Sequence, residues 1–83
     1  MALTPNPTET AVLRALVEYH NRHGCPPSFA DIAKAVDRSV GAARSATISL
    51  GEMGYAYRNH RGARCWLPTD AGRAFLAGLE AAA

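Results

Sequence analysis

The sequence predicts a mainly α-helical fold with one small β-hairpin, and three observations predict it. Apolar residues recur at helical spacing in four separate runs. Each run follows a residue able to cap a helix: Asn6, Ser28, Ser39 and Thr69. Between the third and fourth runs, residues 54–67 open on a glycine, alternate as short strands do, and meet a proline.

The elements follow in order. Residues 1–5 read as a flexible arm. The first helix takes residues 6–23, with Asn6 as cap, Pro7 at its first position and Glu9 placed for a capping box. Val12, Leu13, Leu16, Val17 and His20 form its apolar stripe. Gly24 stops it, and Pro26 and Pro27 stiffen the link to the next helix. That second helix takes residues 28–36. Ser28 caps it, Asp31 puts negative charge near its N-terminus, and Phe29, Ile32, Ala33 and Val36 share one face.

Asp37 and Arg38 break the pattern, and residues 39–53 form a third helix. At about 100° per residue, Val40, Ala43, Ala46, Thr47, Leu50 and Met53 are assigned inward. Gly41, Arg44, Ser45, Ser49 and Glu52 are assigned outward, with Ile48 at the margin. The inward residues are mostly small, which suits close packing of two helices. Residues 54–67 form the hairpin and residues 69–80 a last helix with Phe75, Leu76 and Leu79 on one side. Two short helices joined by a tight turn and followed by such a hairpin make a winged helix-turn-helix. A single domain over residues 1–83 is expected.

The side on which the hairpin's aromatic residues lie is open. With Ala56, Cys65 and Leu67 inward, Tyr55, Tyr57 and Trp66 form an exposed aromatic surface suited to a partner. With the opposite parity those three rings cap the core.

Composition places the chain among globular proteins, with 48% hydrophobic and 19% charged residues. The net charge of +2 is unevenly distributed. Residues 1–30 are neutral, with Arg14 and Arg22 against Glu9 and Glu18. Residues 65–83 are at minus one, with Arg73 against Asp70 and Glu80. Residues 31–64 are at plus three, with Lys34, Arg38, Arg44, Arg58, Arg61 and Arg64 against Asp31, Asp37 and Glu52. Positive charge therefore collects where a helix-turn-helix and its wing would meet nucleic acid.

Cys25 and Cys65 make no disulfide framework, and no signal peptide or long apolar run is seen. A reduced, cytoplasmic protein without a membrane segment is expected. His20, His23 and Cys25 are close in sequence, but His-x-x-His-x-Cys matches no common zinc pattern. Neither a metal nor a cofactor is implied. An enzyme is not predicted, because Gly-x-Ser-x-Gly and Gly-rich phosphate loops are lacking.

The stretch Gly24-Cys25-Pro26-Pro27-Ser28, followed by Ala30-Asp31-Ile32-Ala33, resembles the DNA-binding domain of LexA-type repressors. In that family a Gly-x-Pro-Pro-Ser/Thr link leads into an acidic-Ile-Ala helix. The resemblance runs through Glu9, Val12, Leu16 and His23 to Leu50, Gly54 and the wing, with one deletion near Arg38. It implies a winged helix that binds an operator. The family's self-cleaving Ser/Lys domain has no counterpart in these 83 residues, so proteolytic induction is not implied. Gly41, Ala42, Arg44 and Ser45 replace the family's usual polar residues at the base-reading start of the third helix. The family's operator is therefore not implied either. Leu67-Pro68-Thr69-Asp70-Ala71-Gly72-Arg73 is similar to the Leu-Thr-x-x-Gly segment after the wing of many stand-alone regulators, including the MarR type.

The expected function is binding of double-stranded DNA by a transcriptional regulator, a repressor. The recognition helix would lie in the major groove and the wing on the backbone or in the minor groove. The residues assigned to DNA are Ser28, Lys34, Arg38, Ser39, Gly41, Ala42, Arg44, Ser45, Ser49, Arg58, His60, Arg61 and Arg64. A homodimer is expected, through the C-terminal helix or the wing aromatics. The alternative is a winged-helix module that binds protein through the aromatic wing face or the bare third helix.

Overall fold

The described residues form four helices and a two-stranded antiparallel hairpin in a winged-helix layout. The structure is a computed structural model and describes residues 4–59 and 66–82. Its elements are α1 (Pro7–His23), α2 (Phe29–Val36), α3 (Val40–Met53), β1 (Ala56–Arg58), β2 (Trp66–Pro68) and α4 (Asp70–Ala82).

Local chemistry sets the helix ends. The Glu9 N–H donates to Asn6 Oδ1 at 2.7 Å and the Asn6 N–H donates to Glu9 Oε1 at 3.0 Å, closing the capping box of α1. The same reciprocal pair joins Ser28 and Asp31 at 3.1 Å in each direction, although Asp is shorter than the usual Glu. Ser39 Oγ accepts from the Ala42 N–H at 3.1 Å to start α3. Gly24 and Gly54 take the left-handed conformation after α1 and α3, at φ of 71° and 83°. Of the residues assigned to the arm, Pro5 is buried, and residues 1–3 lie outside the described residues.

Asp37 ends α2 in the same conformation, at φ 57°. It is a conformation that a Cβ disfavours and glycine adopts freely. Asp37→Gly should therefore stabilise the domain by about 0.5 kcal/mol. A higher midpoint in urea unfolding would show it, and an unchanged or lower midpoint would contradict it.

The core joins Val12, Leu13 and Leu16 of α1, Ile32 and Ala33 of α2, Ala43, Ala46 and Leu50 of α3, Ala56 of β1 and Leu76 of α4. The alanines let α3 lie close against α1 and α2. Thr47 is fully buried without cost in lost hydrogen bonding, because its Oγ1 donates to the Ala43 carbonyl at 2.7 Å.

Val40 departs from its inward assignment and is 50% exposed. It is the first residue of α3, and Cα–Cβ bonds tilt toward a helix N-terminus, so its side chain projects beyond the end that meets the core. Ile48 is 37% exposed and falls inside the outward arc, between Arg44 and Ser45, not at its margin.

The hairpin answers the parity question with a split. Ala56 pairs with Pro68, Tyr57 with Leu67 and Arg58 with Trp66. Directly paired residues share a side, so Trp66 lies on the same side as Ala56, and Tyr57 lies on the other. Trp66 packs on the core, while Tyr57 is 45% exposed. Tyr55 precedes the strand and turns inward to stack on Phe75, with ring centroids 5.1 Å apart. The exposed three-ring surface does not form, and neither do three rings capping the core.

Candidate nucleic-acid interface

α3 presents two unlike sides. Ala43, Ala46, Thr47 and Leu50 are buried, whereas Val40, Gly41, Arg44, Ser45, Ile48 and Glu52 are exposed over an arc of about 140°. Ala42 and Ser49 lie at one border of that arc and are half-buried. The outward side carries no acid before Glu52 near the C-terminal end. Its N-terminal half therefore offers Arg44, two small or hydroxyl-bearing positions at Gly41 and Ser45, and the positive end of the helix dipole.

The neighbouring elements add cations. Lys34 and Arg38 are exposed at and after the end of α2, and Arg58 is exposed on β1, which packs on α3. His60, Arg61 and Arg64, assigned to DNA from the sequence, lie outside the described residues. Arg73 is directed elsewhere. Its guanidinium donates to Asn21 Oδ1 at 3.2 Å and lies 3.3 Å from His20 Nδ1, tying α4 to α1.

Ser28 and Ser39 have structural tasks. Each hydroxyl oxygen accepts from a backbone N–H of the helix it caps. Their hydroxyl hydrogens retain donor capacity toward an acceptor such as a phosphate oxygen. Ser28 is half-buried and Ser39 exposed, which makes Ser39 the more accessible of the two.

The wing is held against α3 by Trp66. A Cβ at Gly51 would stand 2.9 Å from Trp66 Cζ3 and 3.1 Å from Cη2, so the indole lies on a helix surface that only glycine leaves open. Neither Gly51 nor the pairing of Trp66 with Arg58 was recognised from the sequence. The signal available was a lone glycine inside a helical run, which marks a close approach.

Among the described residues, no group of three or more His, Cys, Asp or Glu side chains is placed to hold a metal ion. His20 is engaged with Arg73, and the His23 ring lies 4.2 Å from that of Tyr19. Cys25 is exposed. Among the same residues, no buried side-chain nitrogen or oxygen lacks a hydrogen-bond partner, and no helix is long and apolar enough to cross a membrane. The sequence matches no protein-family model and no curated protein.

Proposed function

We propose that this chain is a double-stranded DNA-binding winged helix, with α3 in the major groove and the β1–β2 wing on the backbone or in the minor groove. The observation that carries the reading is the outward face of α3. It is free of the core, bears Arg44 and has no acid in its first three turns, and the elements packed on α3 carry the exposed cations Lys34 (α2) and Arg58 (β1). Arg44 supplies a fork for a guanine edge, while the other cations supply phosphate contacts that set affinity and register. The biological role proposed is transcriptional repression in the cytoplasm by a homodimer. Leu79, exposed on α4, and the free ring of Tyr57 are the apolar groups available for the dimer contact.

Fluorescence anisotropy on random duplex DNA across a salt titration tests the reading. Wild type should bind at micromolar concentration and weaken steeply as salt rises, because bound arginines and lysines release counterions. On random duplex DNA Arg58→Ala should lower the salt slope by about one, and on a site selected by the wild type Arg44→Ala should lose about tenfold in discrimination against a changed guanine. Absence of binding at low salt would sink the DNA reading. It would favour the second reading, a protein-binding winged helix, for which the exposed Tyr57 and Ile48 speak.

A further inference from the structure

We infer that Val40 and Ile48 read thymine methyl groups on either side of a base contacted by Arg44, an inference that rests on the DNA-binding reading. Val40, Arg44 and Ile48 are spaced four residues apart and all three are exposed, so they form one inclined stripe on α3. Neither aliphatic side chain belongs to the core. β-branched residues are weak helix formers, so helix propensity does not account for their place on this face.

The stripe's composition selects its ligand. A purely apolar partner would leave the Arg44 guanidinium desolvated and unpaired, which is costly. A purely ionic partner would leave Val40 and Ile48 in water. The major groove offers both chemistries on one surface, since guanine presents two acceptors for arginine and thymine presents a C5 methyl for apolar contact. No acid interrupts the stripe, and the first one beyond it is Glu52, a further turn along.

Geometry sets the spacing. Four helical residues advance about 6 Å, and successive base pairs are about 3.4 Å apart. With α3 lying along the groove, each aliphatic side chain meets a base pair about two steps from the one that Arg44 reads. The preferred half-site is therefore a guanine flanked by thymines at about two base pairs on each side, on either strand.

The test begins with selection from a random duplex library by wild-type protein. The most enriched duplex is then resynthesised with deoxyuridine in place of thymidine, which removes only the C5 methyl groups. Wild type should bind the deoxyuridine duplex about tenfold more weakly, from about a threefold loss at each of two methyls. The Val40→Ala/Ile48→Ala variant, altered only at exposed positions, should bind the two duplexes equally. Equal binding of both duplexes by wild type overturns the inference while leaving DNA binding intact. Full discrimination retained by the variant overturns it too, because the methyl effect would then arise from DNA shape or from other residues. Failure to bind any duplex at low salt overturns this inference together with the reading beneath it.

Discussion

Gly72→Ala lowers the stability of the domain by about 2 kcal/mol, while Gly78→Ala, on the same helix, raises it by about 0.5–1 kcal/mol. In both cases alanine improves helix propensity, so the opposite signs come from the surroundings alone. Gly72 is buried under the chain that leaves α3. A Cβ there would overlap the Tyr55 carbonyl oxygen and stand 3.2 Å from Leu13 Cδ1, whereas a Cβ at Gly78 meets nothing within 4 Å. The Tyr55 carbonyl cannot retreat freely, because it accepts from the Thr69 N–H at 3.1 Å. Thr69 Oγ1 in turn donates to the Gly54 carbonyl at 2.7 Å and accepts from the Gly72 N–H at 3.0 Å. Pushing Tyr55 away therefore disturbs the junction where α3, the wing and α4 meet. The melting temperature should fall by about 10 °C for Gly72→Ala and rise by a few degrees for Gly78→Ala, as followed by circular dichroism. Equal melting temperatures for the two variants would contradict this account of the junction.

The Leu-Thr-x-x-Gly-like segment was legible as a likeness before its physical content was. Thr69 was readable as a cap because a hydroxyl before a helical run has one common use. Gly72 was not readable as a packing residue, because nothing local distinguishes it from Gly78. Only the tertiary contact with Tyr55 separates them. The helices themselves were legible for the opposite reason. Asn6 with Glu9, Ser28 with Asp31, and Ser39 act within four residues, so their hydrogen bonds are written locally. Glycine after α1 and α3 is equally local.

Where the reading of α3 failed, the period was right and the phase was slightly wrong. A helical wheel treats the helix as endless, so Val40 fell on the inward side although its place at the N-terminus carries it past the core. Ile48 is assigned to the margin of the outward side, yet its angle places it among Arg44, Gly41 and Ser45. The cationic residues were legible as a charge excess over residues 31–64. Which of them share a surface was not, because that depends on how β1 lies on α3. The wing failed for a similar reason. Strand alternation gives parity only once the register is known, and pairing Arg58 with Trp66 puts Trp66 on the side of Ala56.

That register makes the two exposed-looking aromatics of the hairpin energetically opposite. Trp66→Ala should cost about 2 kcal/mol, below the range for a fully buried tryptophan because the ring is half-buried. Tyr57→Ala should stay within about 0.5 kcal/mol, as expected of a side chain facing solvent. A double-mutant cycle with Gly51 isolates the contact itself. In wild type, Gly51→Ala forces a Cβ to within 2.9 Å of the indole and should destabilise the domain by about 1 kcal/mol, despite the better helix propensity of alanine. In the Trp66→Ala background the space is open, and the same substitution should become stabilising by about 0.5–1 kcal/mol. The change of sign is the diagnostic result, since two positions without contact give additive effects. Urea unfolding of the four proteins measures it. Additivity would mean that the indole does not rest on α3, and the wing would then lack the contact that holds the strand pair of Arg58 and Trp66 against that helix. If the cycle shows the coupling, Trp66→Ala should also weaken any DNA contact made by Arg58, because the residue that fixes its strand against α3 is gone.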